Sequence, residues 1–209
     1  MTCRFALLVT IIFSIFSLSV NNNVIAQTSV ASEKPSCVLV DGSGSMSALF
    51  DESRPGLRRV DVAKTIALNL AMRKELSLEF YIFGFQVLTE YFRLVQISEL
   101  MTMPNPNGGT LYGKALDGLN LKDCANVVLI SDLDGGSTDG IDINILPSFK
   151  AQDKKFIVIL VIPPKHGRYH ETIMETFSIM ADYTGGDIVL INQDDLNKTI
   201  SSIAKKLEK

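Results

Sequence analysis

Short apolar runs alternate with amphipathic stretches along most of this chain, and that alternation narrows its fold more than any other feature. The runs are Cys37–Asp41, Leu78–Phe85, Asn126–Ser131, Lys155–Ile162 and Asp187–Asn192. Most lack the polar alternation of a strand wetted on one face, so they read as strands buried on both sides. Between them lie helical stretches at 58–76, 110–121, 171–183 and 195–209. In the first, Val62, Ala63, Ile66, Ala67, Leu70 and Ala71 recur at spacings of three and four. In the last, Leu196, Ile200, Ile203, Ala204 and Leu207 mark one face. Asp194 and Asp195 stand at its start and Lys205, Lys206 and Lys209 at its end, as the helix dipole favours. The pattern predicts one α/β domain with a central, mostly parallel sheet and helices on both faces. Leu88–Val95 predicts an antiparallel edge strand in a hairpin with Leu78–Phe85. A weak helix over Ile143–Ala151 is expected to be interrupted by Pro147.

The chain's 209 residues suffice for one such domain with a full core. Residues 1–26 have the layout of a secretory signal peptide. Arg4 is the only charge before Glu33, Phe5–Val20 is almost unbrokenly apolar, and Val24-Ile-Ala26 precedes Gln27. The apolar run is shorter than the roughly 20 residues that span a bilayer, and no later stretch is long enough. A cleaved signal, a short leader at 27–35 and a domain at 36–209 are therefore expected, in a secreted or periplasmic protein with no membrane span after signal removal. The net charge is −3 and there is no basic patch, so nucleic acid is not an expected partner.

The strongest chemical signal is Asp41-Gly-Ser-Gly-Ser45, directly after the first apolar run. A strand ending this way aims a carboxylate and two hydroxyls at one point beyond the sheet edge. Hard oxygens of this kind suit Mg²⁺, Mn²⁺ or Ca²⁺ and not zinc or copper. Asp132 ends the run Asn126–Ser131, and open α/β sheets bind ligands beyond the carboxyl ends of their strands.

These pieces resemble the von Willebrand factor type A (VWA) domain with its metal-ion-dependent adhesion site. The matching segments are Asp41-Gly-Ser-Gly-Ser45, Gly108-Gly-Thr110 with Ala115-Leu116 after it, and Val127-Val-Leu-Ile-Ser-Asp132. Ala181-Asp-Tyr-Thr-Gly-Gly186 resembles a further segment common in that family. The resemblance covers Ser36–Lys209 in the family's order and implies its three-layer fold. It also implies that Ser43, Ser45 and Thr110 offer hydroxyls to Mg²⁺ or Mn²⁺ while Asp41 and Asp132 balance the charge, directly or through water. Such a site exchanges a water for the Asp or Glu carboxylate of a protein partner. The implied function is cation-dependent adhesion or assembly.

The run Asp132-Leu-Asp134-Gly-Gly departs from the family's usual Asp-Gly at this point. Asp134 replaces Asp132 if the strand runs longer. Asp139 lies nearby, and both Asp134 and Asp139 read more simply as solvated loop carboxylates. Asp132-Leu-Asp134 also resembles the nucleophile motif of haloacid-dehalogenase-type phosphatases, an alternative that would make Asp132 the nucleophile and Asp134 the acid/base. That motif normally opens its domain, and the alternative leaves the Ser43, Ser45 and Thr110 hydroxyls without purpose. A scaffold role with a vestigial metal site is a third reading. His166 and His170 are spaced by four, but Pro163, Pro164 and Gly167 favour exposed loop histidines over metal ligands. No nucleophile elbow, Cys/His pair or phosphate loop is present, so the chain is not read as an enzyme. In the family's strand order the first and fourth strands are neighbours. Levelling Asp41 with Asp132 then offsets Cys37 from Cys124 by about 13 Å. A disulfide needs Cα atoms within about 7 Å, so two reduced thiols are expected, with Cys37 buried.

Overall fold

The structure, a computed structural model, describes residues 34–50, 56–84, 92–103, 106–119, 121, 123–138, 141–162, 170–191 and 196–208. The signal-peptide reading at 1–26 and most of the leader lie outside these residues, as do Asp139, His166, Asp194 and Asp195. Among the described residues no helix is long and apolar enough to cross a membrane.

Six strands form one sheet: β1 (Ser36–Asp41), β2 (Leu78–Phe83), β3 (Phe92–Val95), β4 (Val127–Ser131), β5 (Phe156–Leu160) and β6 (Asp187–Leu190). Their order is β3-β2-β1-β4-β5-β6. Every pairing is parallel except β2 with β3, which makes the antiparallel edge. Among the described residues six α-helices accompany them: α1 (Arg59–Ala71), α2 (Ile97–Met101), α3 (Tyr112–Gly118), α4 (Leu146–Ala151), α5 (Glu171–Thr184) and α6 (Leu196–Leu207).

Successive strand residues point to opposite faces, and in the central strands both sets are apolar. On one face Val38, Val40, Val128, Ile130, Ile157 and Ile159 pack with Ile66 and Leu70 of α1, Leu100 of α2 and Ile203 of α6. On the other, Leu39, Val127, Leu129 and Val158 pack with Tyr112 of α3, Phe149 of α4 and Phe177 of α5. The three-layer α/β architecture expected from the alternation is thus observed. The short helix α2 is an element the apolar pattern did not signal. Pro147 does not interrupt a helix. It is the second residue of α4, where its missing N–H costs no intrahelical bond.

The expectation of two free thiols is overturned: Cys37 and Cys124 form a disulfide, with Cα atoms 5.5 Å apart. The levelling of the strands was wrong by one residue. Cys37 stands opposite Val127 and Val40 opposite Ile130, which puts Asp41 level with Ser131. More important, β4 begins only at Val127, so the residues before it do not continue an extended line. Ala125 N–H donates to Pro35 O at 2.7 Å, Cys37 N–H to Asn126 O at 2.9 Å, and Asn126 Nδ2 to Ser36 Oγ at 3.1 Å. These bonds fold 124–126 back against the start of β1. Cys37 is buried, as expected.

Candidate metal centre

The sheet order reverses direction between β1 and β4. Chain connections leave these two neighbours toward opposite edges, the place where open α/β sheets bind ligands beyond the carboxyl ends of their strands. Asp41 is the last residue of β1 and Asp132 the first after β4. The fold therefore delivers both carboxylates to one place although 91 positions separate them in the numbering.

Four of the five residues expected at the site form a continuous hydrogen-bonded cluster. Ser43 N–H donates to Asp41 Oδ1 at 2.8 Å, which fixes the turn leaving β1. A 3-10 turn, Gly44–Ser47, follows and is anchored by the buried Met46. It brings Ser45 Oγ to 3.1 Å from Ser43 Oγ and to 3.1 Å from Asp132 Oδ1, to which it donates. Because the Ser45 proton goes to Asp132, the Ser43 hydroxyl donates to Ser45. Asp41 and Asp132 are fully buried.

The loop that carries Thr110 is fastened beside this cluster through its backbone. Gly44 N–H donates to Gly108 O at 2.9 Å, tying the Gly108-Gly-Thr110 segment to the turn after β1. On its other side the Thr110 backbone is pinned to the segment after β4: Ser137 N–H donates to Thr110 O at 2.9 Å and Tyr112 N–H to Ser137 O at 3.0 Å. Gly136 permits this approach. It has φ +101°, and a Cβ there would lie 2.5 Å from Thr110 O.

Three supporting residues were not foreseen. Ser131 Oγ donates to Asp41 Oδ2 at 2.6 Å and accepts from Leu133 N–H at 3.1 Å. Its one proton being committed, it also accepts from Tyr112 O–H at 3.0 Å. The Tyr112 ring meets Phe177 edge-on at 5.1 Å, so α5 braces a buried chain running from Tyr112 through Ser131 to Asp41. The third residue is Arg59, which opens α1. Its Nη1 donates to Asp132 Oδ2 at 2.7 Å and to Asp134 Oδ2 at 3.0 Å. Asp134 N–H donates to Asp132 Oδ1 at 3.0 Å. Asp134 is thus an ion-paired residue at the rim, with its side chain 43% exposed. A sequence signal for Arg59 does exist. Arg58-Arg59 opens a helix at the positive end of its dipole, where arginine is disfavoured unless anions meet it. Arg58 is met by Asp61 and Arg59 by Asp132 and Asp134.

The electrostatics follow from burial. Burial and the neighbouring charge of Asp132 push the Asp41 carboxyl up to about 7, against the opposing hydrogen bonds from Ser131 and Ser43. Burial also raises Asp132, although Asp134 N–H, Arg59 and Ser45 all favour its ionised form. Burial works against the Arg59 charge, but Asp132 and Asp134 outweigh it and raise that group. Two buried like charges at one point favour either a proton or an added cation.

The donor set can be tested against a cation. Neighbouring oxygens around an octahedral Mg²⁺, each about 2.1 Å from the ion, lie about 3 Å apart. The 3.1 Å steps from Ser43 Oγ to Ser45 Oγ and on to Asp132 Oδ1 have that spacing. Among the described residues no three His, Cys, Asp or Glu side chains gather as a metal group, so the candidate centre rests on two carboxylates and on hydroxyls. His170 is exposed and precedes α5, its N–H donating to Leu133 O at 2.9 Å.

No protein-family model matches this chain, and no curated protein matches it in sequence. Its fold is nonetheless similar to solved structures. One is the PilB minor pilin of Streptococcus sanguinis in its D319A form, at 14% identity and a TM-score of 0.52 over 83% of this chain. The chain spans 61% of that pilin's length. Another is the SpRpn10 VWA domain, at 12% identity and a TM-score of 0.50, covering 81% of this chain and 94% of that domain. At these identities the likeness shows a VWA-like fold.

Proposed function

We propose that this chain is a divalent-cation-dependent protein-binding module that acts in adhesion or assembly outside the cytoplasm. Its metal site would comprise Asp41, Ser43, Ser45, Thr110 and Asp132, with Mg²⁺ or Mn²⁺ as the ion. The observation that carries this reading is the run of three oxygens, Ser43 Oγ, Ser45 Oγ and Asp132 Oδ1, at successive 3.1 Å steps beyond β1 and β4. The likeness to a pilin and a VWA domain agrees with it, as does the signal-like segment at 1–26.

When bound, the ion supplies a Lewis-acidic position that accepts an oxygen from a partner's Asp or Glu. The chain's own residues do the rest. Ser43 and Ser45 present neutral oxygens, which leave a divalent charge largely unquenched. Ser131 and the Ser43 N–H hold Asp41 in one orientation from either side, and Asp134 N–H does the same for Asp132. The Thr110 loop is fastened both to Gly44 and to Ser137, so its hydroxyl is carried on a braced segment.

Phosphoryl hydrolysis at Asp132 and Asp134 draws less support. Asp134, the acid/base of that reading, is ion-paired to Arg59 Nη1 at 3.0 Å, and the Ser43 and Ser45 hydroxyls would have no part in it. The test of the binding reading is capture of a partner from cell-envelope or culture extract on the immobilised domain. Capture is expected with Mg²⁺, and is expected to be lost both with EDTA and with the Ser43→Ala variant. A partner retained equally in all three would refute cation dependence.

A further inference from the structure

Arg59 is held in the site at some cost. It is the first residue of α1, at the positive end of the helix dipole. It is 8% exposed, and its Nε is buried without a hydrogen-bond partner among the described residues. A neutral side chain would avoid the dipole conflict and the burial of charge. What offsets these costs is its contact with Asp132 Oδ2 at 2.7 Å and Asp134 Oδ2 at 3.0 Å.

We propose that Arg59 is a tethered cation that shares Asp132 with the divalent ion and holds the affinity of the site for that ion down. This rests on the metal-site reading above and names the residue that tunes it. Asp132 has two faces. Oδ2 is taken by the guanidinium, and Oδ1 is turned toward Ser45 Oγ at 3.1 Å. An ion on Oδ1 and the guanidinium on Oδ2 are like charges on opposite sides of one buried carboxylate. Repulsion at that range is worth well over tenfold in affinity even at an effective dielectric near 20.

Orientation works the other way, because Arg59 also helps to aim Asp132. That contribution is the smaller one. Asp132 Oδ1 keeps its bond from Asp134 N–H at 3.0 Å without Arg59, and the residue directly follows β4, whose position the sheet fixes. Asp134 does not cancel the guanidinium, since its side chain is 43% exposed and screened by water. The consequence is an ion that exchanges readily, on a site whose carboxylates are partly neutralised before it arrives.

The experiment is calorimetric titration of the folded domain with Mn²⁺ alone, on wild type, Arg59→Lys and Arg59→Gln. The Lys variant keeps the charge and is expected to stay within roughly threefold of wild type, whereas Gln removes it and is expected to tighten binding by roughly tenfold or more. A merely structural role for Arg59 would give weaker binding in the Gln variant, and equal or weaker binding with an intact fold overturns the proposal. If Arg59→Gln fails to fold, the double variant Arg59→Gln/Asp134→Asn removes the guanidinium together with its rim partner and leaves Asp132 in place. It too must bind Mn²⁺ more tightly than wild type, and failure to do so overturns the proposal equally. Absence of Mn²⁺ binding in every protein would instead reject the metal site itself, and with it any role of Arg59 there. Binding seen only once Arg59 is removed would support the proposal.

Discussion

Asp41 shows how much one position can carry. It is fully buried, accepts a 2.8 Å bond from the Ser43 amide and a 2.6 Å bond from Ser131, and stands beside the like charge of Asp132. Its carboxyl is raised from 3.8 to about 7, chiefly by burial. Between those two values the folded, metal-free protein keeps a proton that the unfolded chain has released. Stability on this residue's account therefore falls as pH rises through that window. Urea unfolding in EDTA is expected to show the protein less stable at pH 8 than at pH 5 by roughly 1–3 kcal/mol, with a flatter profile in Asp41→Asn. A stability that climbs over the same interval would contradict the burial of an unpaired carboxylate. The convergence of Asp41, Ser43, Ser45 and Asp132 was legible from the sequence because each stands in or directly after a short motif at the carboxyl end of a strand. Ser131 and Tyr112 were not, and for Arg59 the one signal, two arginines at a helix start, named no partner. Ser131 ends β4, while Tyr112 and Arg59 open α3 and α1, and none of the three lies in a motif that marks its neighbours across the fold.

At the scale of elements, the site is a junction of three loops. The turn after β1, the segment before α3 and the segment after β4 are joined by Gly44 N–H to Gly108 O and by the paired bonds between Thr110, Ser137 and Tyr112. The contact of Gly136 with Thr110 is where this junction tolerates least. Gly136→Ala would put a methyl 2.5 Å from Thr110 O on a backbone with φ +101°. The expected result is a loss of roughly 1–3 kcal/mol in stability and a several-fold weaker Mg²⁺ affinity, read by urea unfolding and calorimetry. Unchanged Mg²⁺ affinity would separate Thr110 from the site. The apolar runs foretold the central strands and the two-sided packing, since a strand buried on both faces has little choice but apolar side chains. Helix α2 escaped notice because five residues, Ile97–Met101, are too short to display a period. Pro147 misled for a related reason: proline breaks a helix in its interior but suits its first turn.

For the whole molecule, the disulfide is the feature that sequence counting placed wrongly. An offset along ideal strands describes residues inside strands, and Cys124 lies in the turn before one. The bridge closes a loop across a sequence separation of 87. That loop contains Asp41, Ser43, Ser45, Arg59 and Thr110, leaving Asp132 just outside it. Removing the bridge as Cys37→Ser/Cys124→Ser is expected to cost roughly 2–4 kcal/mol in urea unfolding. A thiol titration of the unfolded, unreduced domain is expected to find neither cysteine free. Two titrating thiols would return the protein to the expectation first drawn from its sequence. A disulfide of this kind fits an oxidising compartment, as does the signal-like segment at 1–26.

Cation-dependent binding requires that the oxygens gathered beyond β1 and β4 hold a hard divalent cation. Titration of the purified domain with Mg²⁺, followed by calorimetry and by the shift in unfolding midpoint, measures this directly. One equivalent is expected to bind the wild type and stabilise it. The same titration on Ser43→Ala and Thr110→Ala, each with an intact fold, is expected to show affinity weakened by roughly tenfold or more. A folded wild type that takes up no ion, or variants that bind it as tightly as the wild type does, would contradict the account.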